Sequence, residues 1–407
     1  MKEQLKQIMK ISKNTEFYSS LFNENKLNID DLDETEFSNI PIITKQFFRE
    51  NTYKFINSKL VTNANKHQIK TIRTSGSTGK FTEIFWLNDD FNRSNIVLWR
   101  LREKWYGITP ASKCVSFNSS VYNGNRIEKA EKIKYYSQNM LGFSKFWMSD
   151  SDFLDYLNEM EKYQPDWMLI QPSTCLKLID VLKKNNLQIS KSIKYIELNG
   201  EFCTIALENY IRSFFRIQVA NMYGANEVNA IAYECPHHNM HVLEDNVYLE
   251  SVDYNGHNVA IVTSLKNTAM PLIRYNLDDE ISLEKKVMCT CGLRSDIIRI
   301  FKGRAADLVS LSENHYVSPY IVVYAIERIN SIIGNAILQF QILKKGNKIT
   351  VVIVLNDKFE GWGETIKTEL LNELNNNVVS RDINFDVLIQ KDIICDYKHK
   401  FQMVIID

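Results

Sequence analysis

The sequence has no excess of charge of either sign. Lysine and arginine together number 49, as do aspartate and glutamate, so the formal net charge at pH 7 is zero. A surface that binds nucleic acid or an anionic membrane usually carries a positive excess. The composition therefore predicts no nucleic-acid partner and no membrane partner.

The sequence also lacks a long apolar run. No stretch approaches the roughly 20 residues that a membrane-spanning helix needs, and residues 1–6 mix charged and apolar types, unlike a signal peptide. We therefore expect a cytoplasmic protein. The seven cysteines are an odd number, which argues against a disulfide framework and favours free thiols or metal ligands.

With 407 residues, 44% hydrophobic and 24% charged, the chain has an ordinary globular composition and room for two or three domains. Short apolar runs such as Trp167–Ile170 and Tyr195–Leu198 alternate with helical patterns. One of these helices, Thr174–Lys184, should be capped by Ser173. The alternation predicts a mainly parallel sheet with helices on its faces.

The pattern then changes. Asn255-Gly256 separates two strand-like runs, which is a hairpin signal and predicts an antiparallel, barrel-like part. The order predicted beyond Gly303 is helix 318–331, strands 337–344 and 349–355, helix 361–375 and strand 384–390. The predicted fold class is α/β. A large N-terminal domain of helix-flanked sheets, residues 1–303, is joined by a hinge to a small α+β C-terminal domain, residues 304–407.

The stretch Arg73–Lys80 reads Arg-Thr-Ser-Gly-Ser-Thr-Gly-Lys. Its glycines let backbone N–H groups approach an anion closely, its hydroxyls add donors, and its lysine adds a positive charge. These features suit the phosphates of a nucleotide, although the spacing is not that of the Walker motif. A plain surface turn is the alternative for this stretch taken alone.

Further motifs follow in the chain: Asn199-Gly200-Glu201, Tyr223-Gly224-Ala225-Asn226-Glu227, Pro271–Asp279, Gly303–Asp307 and Lys398-His399-Lys400. With these motifs in this order, the chain resembles the adenylate-forming enzymes. Within them it is most similar to the phenylacetate–coenzyme A ligase branch, which includes capsule-associated ligase-like proteins. The resemblance runs from about Ile40 to the C-terminus. Its strongest pieces are Thr-Ser-Gly-Ser-Thr-Gly, Tyr-Gly-x-x-Glu and Pro-Leu-Ile-Arg-Tyr.

The resemblance implies a role for each matched residue. The β- and γ-phosphates of ATP would be held by Thr74, Ser75, Gly76, Ser77, Thr78, Gly79 and Lys80. The adenine slot would be formed by Gly200, Glu201, Tyr223 and Gly224, with the tyrosine ring against the base. Asp279 would accept hydrogen bonds from the ribose, and Arg304 would lie near the ribose and the α-phosphate. The implied catalytic residues are Thr78, Glu227, which would help to hold Mg²⁺, and Lys400, which would contact the substrate carboxylate and the α-phosphate.

The implied reaction joins a small carboxylic acid to AMP, releases pyrophosphate, and passes the acyl group to a thiol. Between the two steps the small domain would rotate, so Lys400 would act in one orientation only. The acceptor is either coenzyme A or the phosphopantetheine arm of an acyl carrier protein, and the sequence leaves this choice open. An aromatic acid is favoured by the resemblance alone.

The sequence departs from the family pattern at three positions. Asp278 stands where a glycine is expected, Ala306 replaces an aspartate of the hinge motif, and His399 replaces the glycine before the lysine. The differences at Asp278 and Ala306 leave open a second interpretation, a nucleotide-binding homologue with impaired catalysis. A structural partner in capsule assembly, with no nucleotide role, is a third.

A separate candidate site consists of cysteines and a histidine. Cys235 and His241 belong to one short segment, and Cys289 and Cys291 form a Cys-x-Cys pair. Three thiolates and an imidazole are a tetrahedral zinc set, and some members of the resembled branch carry a similar set. We predict a structural Zn²⁺ on these four residues. The alternative is four unrelated free side chains.

Overall fold

The structure is a computed structural model that describes residues 3–29, 32–74, 82–118, 132–144, 149–254, 257–304, 309–312, 315–317, 320–346, 348–376, 384–393 and 404–406. The helices are α1 (Glu3–Ser12), α2 (Glu16–Glu24), α3 (Glu34–Ser38), α4 (Lys45–Glu50), α5 (Asn88–Tyr106), α6 (Asp150–Tyr163), α7 (Pro172–Lys184), α8 (Ile205–Phe215), α9 (Tyr320–Ile333) and α10 (Gly363–Asn376). The strands are β1 (Ile69–Thr74), β2 (Thr82–Leu87), β3 (Cys114–Asn118), β4 (Ile133–Ser137), β5 (Met140–Ser144), β6 (Trp167–Ile170), β7 (Tyr195–Asn199), β8 (Gln218–Ala225), β9 (Asn229–Glu234), β10 (Met240–Val242), β11 (Val247–Tyr254), β12 (His257–Ser264), β13 (Tyr275–Met288), β14 (Arg294–Arg304), β15 (Val309–Ser312), β16 (His315–Val317), β17 (Ile337–Lys345), β18 (Lys348–Leu355), β19 (Asn384–Gln390) and β20 (Val404–Ile406).

The chain divides into two compact units. The first contains residues 1–109 and 220–305, and the second contains residues 110–219 and 306–407. The predicted domain boundary between residues 303 and 304, with its hinge, stays a prediction.

The first unit contains the antiparallel part that the sequence predicts. Its strands pair in the order β11-β12-β13-β14-β10-β9-β8. The β11–β12 pair spans Val247–Ser264, on either side of Asn255-Gly256, which confirms the hairpin. No closed barrel is formed by the strands that the structure describes. Large aromatic side chains from the N-terminal segments and from β13, including Phe48, Phe55 and Tyr275, are buried together in one core.

The second unit contains the parallel sheet. Strands β7, β6, β3 and β5 lie side by side and run parallel, and β4 joins β5 antiparallel. Helices α6, α7 and α8 bury their apolar residues with one face of this sheet. Helix α7 begins at Pro172 with Gln171 as its N-cap, so the predicted cap at Ser173 is wrong. Proline suits the first helical position because its fixed φ is already helical.

The C-terminal part of the second unit has a hydrophobic core of its own, formed by α9, α10 and the strands in the order β19-β18-β17-β20. The predicted order of helices and strands from residue 318 to 390 is confirmed. Strand β20, in a tail that reads as polar, was missed; it pairs parallel with β17. Elsewhere in the same unit, the Thr204 hydroxyl donates to the carbonyl of Leu338 at 3.0 Å.

Among the helices of the described ranges, none combines the length and the apolar character needed to cross a lipid bilayer.

Candidate functional site

Tyr223 and Asp279 meet in the first unit. Tyr223 lies in β8 and Asp279 lies near the start of β13. The Tyr223 hydroxyl donates a hydrogen bond to Asp279 Oδ2 at 2.6 Å, although the residues are 56 positions apart in the sequence. A hydrogen bond from a phenol to a carboxylate is short and strong because the acceptor is charged. Two of the predicted nucleotide-binding motifs are therefore in direct contact.

Arg304 lies on the strand next to Asp279. The two residues are Cα partners in the antiparallel pairing of β13 with β14. Arg304 is the last residue of β14, so the motif that begins at Gly303 lies beside the Asp279 motif in the backbone register.

Glu227 lies in the turn after β8 and is held by a second tyrosine. The Tyr275 hydroxyl donates to Glu227 Oε1 at 3.1 Å. Burial raises the pKa of Tyr275 well above its ordinary value, and the nearby Glu227 charge adds to the effect. The phenol therefore stays protonated and remains a donor. Sequence reasoning assigned no role to Tyr275, although it ends the Pro-Leu-Ile-Arg-Tyr motif.

Gly224 is required by a close backbone approach. A Cβ atom at this position would lie 2.8 Å from the carbonyl oxygen of Asn229 and 3.3 Å from Cα of Ala230. Any larger residue would push β8 away from β9, which would move Tyr223 and Glu227 on either side of the glycine. The structure thus gives Gly224 a positioning role in the backbone.

Asp278, which stands where the sequence pattern predicts a glycine, has a backbone conformation that favours glycine. Its φ is +56°, in the left-handed region, which aspartate tolerates better than most residues. The backbone N–H donates to Asn276 Oδ1 at 2.7 Å, and Lys45 Nζ lies 3.4 Å from Asp278 Oδ2. The Lys45 ammonium also donates to the carbonyl of Leu277. The turn that leads into Asp279 is therefore formed without a glycine.

Arg274 joins distant segments of the first unit. Its guanidinium is buried and pairs with Glu250, with Nη2 3.3 Å from Oε1. It also donates to the backbone carbonyl of Ser38 and, at 2.6 Å, to that of Ile40. Burial raises the pKa of Glu250, against the opposing effect of the guanidinium. Sequence reasoning gave Arg274 no role; in the structure its partners are structural.

Gly200 and Glu201 belong to the second unit. Gly200 follows β7 with φ at +76°, which favours glycine. Glu201 Oε2 accepts a hydrogen bond from the backbone N–H of Ser173 at 3.0 Å. This contact satisfies a free donor in the first turn of α7, where a negative charge is favourable. An adenine slot that combines these residues with Tyr223 and Gly224 stays a prediction.

The predicted phosphate loop falls between two strands, β1 and β2, that pair antiparallel. Thr74 is the last residue of β1, Thr82 is the first residue of β2, and the two are Cα partners. The extended stretch predicted after the loop is confirmed as β2. Several predicted residues lie outside the described part of the chain: Ser75, Gly76, Ser77, Thr78, Gly79, Lys80, Ala306, His399 and Lys400.

The four predicted zinc ligands come together in the first unit. Sγ of Cys235 and Sγ of Cys289 are 3.9 Å apart, and Sγ of Cys291 lies 3.3 Å from Nε2 of His241. All four ligand atoms lie within 4.8 Å of one another. A zinc ion with bonds of about 2.3 Å to sulfur needs sulfur atoms about 3.8 Å apart in tetrahedral geometry. The donor set therefore fits a zinc ion in both chemistry and size.

Two tight turns and one short strand present these ligands. In the first turn the N–H of Cys235 donates to the carbonyl of Asn239 at 3.0 Å. In the second turn the N–H of Cys289 donates to the carbonyl of Leu293 at 3.0 Å, and Gly292 has φ at +83°. His241 lies in β10, which pairs with both β9 and β14. The strand pairing thus places the histidine beside both cysteine turns.

The surroundings of His241 favour metal binding. Nδ1 of its ring lies 2.7 Å from Oγ of Ser295, which leaves Nε2 directed toward Cys291. Burial, together with the nearby positive charges of Arg299 and Lys104, lowers the pKa of His241 to about 4. The imidazole is therefore neutral at physiological pH, as a metal ligand must be.

The thiols of the cluster differ in acidity. Burial opposes ionisation of Cys289, but hydrogen bonds from the Cys291 backbone and from neighbouring side chains hold its pKa below the usual value. Burial raises the pKa of Cys291 to about 12. With no metal charge nearby, Cys289 is therefore the first of the two to ionise, and it would be the first thiolate available to a metal ion.

No protein-family model matches the chain. In sequence, the chain is 25% identical over 351 residues to Protein CapK of Staphylococcus aureus. The aligned region covers 85% of this chain and 76% of that protein. It is 26% identical over 283 residues to a phenylacetate-coenzyme A ligase of Escherichia coli (strain K12), which covers 65% of this chain and 62% of the ligase.

In structure, the chain is similar to a 2-hydroxyisobutyryl-CoA ligase solved in the postadenylation state, with a TM-score of 0.74 at 16% identity. That similarity covers 99% of this chain and 88% of the other. It is also similar to an anthranilate CoA ligase, AuaEII, with a TM-score of 0.53 at 11% identity, covering 81% of this chain and 65% of the other. These neighbours confirm the predicted α/β fold class.

Proposed function

Because the chain is a homologue of CapK and of the phenylacetate-coenzyme A ligases, we propose that it is an ATP-dependent acid–thiol ligase. It forms an acyl- or aryl-adenylate from a small carboxylic acid and releases pyrophosphate. It then transfers the acyl group to a thiol, which is coenzyme A or the phosphopantetheine arm of a carrier protein. ATP and coenzyme A belong to the cytoplasm, so the proposal assigns the protein to that compartment.

One observation supports the proposal most directly. Two carboxylates from different motifs are each held by a tyrosine hydroxyl, Asp279 by Tyr223 and Glu227 by Tyr275. A carboxylate that is fixed in this way is preorganised to accept hydrogen bonds or to bind a cation without first reorganising. The ribose hydroxyls of ATP offer the hydrogen bonds, and Mg²⁺ is the cation.

In this proposal, Asp279 accepts hydrogen bonds from the ribose, and the ring of Tyr223 lies against the adenine. Glu227 offers carboxylate oxygens, the ligands that Mg²⁺ prefers. When bound, Mg²⁺ neutralises charge that develops on the phosphates during displacement at the α-phosphorus. Arg304, on the strand next to Asp279, holds the α-phosphate. Residues Thr74–Lys80 hold the β- and γ-phosphates, and Lys400 positions the attacking carboxylate.

The proposal includes a structural zinc ion on Cys235, His241, Cys289 and Cys291. The four clustered ligand atoms and the neutral imidazole support it. All four protein ligands fill the coordination sphere, so this site has no open position for substrate or water, as a catalytic zinc site would need. The ion would hold the two cysteine turns and β10 together.

Carboxylate-dependent exchange between pyrophosphate and ATP tests the first half-reaction. The assay would use the full chain with a panel of aromatic and aliphatic acids. We expect exchange with at least one acid, loss of exchange in Lys400→Ala, and weaker exchange in Glu227→Ala. Asp253→Ala, which removes an exposed carboxylate on β11, is the control and should leave the rate unchanged. Parallel reactions with coenzyme A and with a phosphopantetheinylated carrier protein, followed by AMP release, identify the acceptor.

A catalytically impaired nucleotide-binding homologue is the alternative. The alanine at position 306 is the sequence feature that favours it. Such a homologue would bind ATP in calorimetry but would show no pyrophosphate–ATP exchange with any acid of the panel. That result would contradict the ligase proposal.

A further inference from the structure

Two carboxamide residues lie side by side at one edge of the parallel sheet in the second unit. Gln171 follows β6 directly, and Asn199 is the last residue of β7. The residues just before them, Ile170 and Leu198, are Cα partners in the parallel register. Partners in register project from the same face of a sheet. The carboxyl ends of parallel strands are where α/β proteins bind their ligands.

The amide of Gln171 has a defined orientation. Its Nε2 donates to the carbonyl of Phe117, at the end of β3, at 3.1 Å. A backbone carbonyl can only accept, so the nitrogen must face Phe117 and Oε1 must point the other way. Oε1 is buried and accepts no hydrogen bond from any residue that the structure describes. Gly200 lies next to this side chain, since a Cβ atom there would lie 3.8 Å from Cγ of Gln171.

Two further buried oxygens share this edge of the sheet. Asn199 Oδ1, at the end of β7, and Thr174 Oγ1, in the first turn of α7, are also buried and have no hydrogen-bond partner within the described ranges. Thr174 is completely buried. Buried oxygens without a partner are rare in folded proteins because each forfeits its hydration. Three of them, at the ends of two neighbouring strands and in the first turn of the helix that follows one of them, therefore point to a bound group.

The chemistry of these atoms limits what that group is. An amide oxygen only accepts, so its partner must offer an O–H or N–H group. The carboxylate that is activated cannot be this partner, because it accepts hydrogen bonds and has none to donate. A purely apolar acid cannot be this partner either.

We propose that Gln171 and Asn199 are specificity-determining residues that accept hydrogen bonds from a hydroxyl or amine on the carbon skeleton of the acid. The preferred substrates are therefore hydroxy- or amino-substituted carboxylic acids. The inference rests on the proposed ligase function. ATP also carries donors of this kind, on its adenine amine and its ribose hydroxyls, and the test separates binding of the nucleotide from binding of the acid.

The test compares trios of acids that differ only in a hydroxyl, an amino or a methyl group at one position. Pyrophosphate exchange gives kcat/KM for each acid, and KM for ATP is measured at the same time. We expect the wild-type protein to prefer one donor-bearing acid over its methyl analogue by at least about 10- to 100-fold, as sites built to hydrogen-bond a substrate group do. Gln171→Leu and Asn199→Leu should reduce this preference to near one, with KM for ATP unchanged.

Controls separate recognition from folding. Asn209→Leu removes an exposed carboxamide from α8 and should keep the wild-type preference. Asn199→Asp keeps an acceptor at the same place and should retain most of the preference. Unfolding midpoints of all variants should stay close to that of the wild-type protein. The shift of this midpoint caused by each acid, in the presence of ATP, gives a binding measurement that does not depend on turnover.

The outcomes are distinguishable. A wild-type protein that exchanges pyrophosphate with methyl analogues as fast as with donor-bearing acids overturns the inference and leaves the ligase proposal intact. The inference is also overturned, and the ligase proposal left intact, if the leucine variants have a higher KM for ATP but an unchanged acid preference. The amides would then bind the nucleotide. Absence of exchange for every acid overturns both.

Discussion

The hydroxyl of Tyr223 donates a 2.6 Å hydrogen bond to Oδ2 of Asp279 across 56 residues of sequence. One residue comes from the Tyr-Gly-x-x-Glu motif and the other ends the motif that begins at Pro271. Their contact places the side chains of two short motifs at one point of the first unit. The proposed adenosine site depends on this contact.

Removing the hydroxyl of Tyr223 should weaken ATP binding. In Tyr223→Phe the ring remains for stacking while Asp279 loses its donor, so we expect a loss of about 1–2 kcal/mol, or roughly 5- to 30-fold in Kd. Calorimetry with ATP measures it. Asp279→Asn combined with Tyr223→Phe should cost less than the sum of the single changes, since the residues are in contact. Tyr248→Phe removes a hydroxyl elsewhere in the first unit and should have no effect; additive losses would contradict the coupling.

Zinc should copurify with the protein in a one-to-one ratio. We expect Cys289→Ser to lose the metal and to lower the unfolding midpoint, and chelation of the wild-type protein to have the same effect, because metal binding free energy stabilises the fold. Ser295→Ala removes the partner of His241 Nδ1 and should weaken zinc binding by about 10- to 100-fold. Elemental analysis and thermal unfolding are the measurements. Cys203→Ser, a cysteine outside the cluster, is the control, and metal-free wild-type protein would refute the site.

The substitution Asp278→Gly should cause little loss of stability. The left-handed φ of +56° is easy for glycine, and the exposed part of the Lys45 ion pair contributes only about 0–1 kcal/mol. Asp278→Val should instead cost about 1–3 kcal/mol, because a β-branched residue is strained at positive φ. Chemical denaturation would compare the two variants. Equal destabilisation by glycine and valine would show that the side-chain contacts of Asp278 matter more than its backbone.

Breaking the buried pair of Arg274 and Glu250 should be among the most damaging changes in the first unit. Arg274→Met leaves the largely buried carboxylate of Glu250 without this partner and removes donors to two backbone carbonyls. We expect a loss of about 3–5 kcal/mol in the free energy of unfolding. Arg328→Met, which breaks an ion pair with Glu373 whose arginine is exposed, should cost no more than about 1 kcal/mol. Similar losses in both variants would rule out a special role for the buried pair.

Local patterns were enough to predict most of the helices and strands. Strands β6 and β19 have the predicted bounds, and the C-terminal order of elements is as predicted. The start of α7 was wrong, because Ser173 suggested a cap while Pro172 already begins the helix. Strand β20 was missed because three residues carry too little periodicity; its partner β17 holds it in place.

The candidate sites were predictable to different degrees. Cysteine and histidine spacing identified the four residues that the structure brings within 4.8 Å of one another, because few side chains other than these bind zinc. Tyr275 and Arg274 were not recognised, since a tyrosine and an arginine in a strand motif have many ordinary roles. Gln171 and Asn199 were not recognised either, because an isolated amide has no sequence signature.

The sequence by itself determined the chemistry that is available: a glycine-rich loop, carboxylates in motifs of known order, three thiols with an imidazole, and alternating patterns that dictate an α/β fold. Only the tertiary structure decided which of these groups act together. The contacts of Asp279 with Tyr223 and of Glu227 with Tyr275 are side-chain hydrogen bonds between residues far apart in the chain, on segments that do not pair with each other as strands. Burial then decides which polar atoms remain without a partner, and this depends on every neighbouring segment at once.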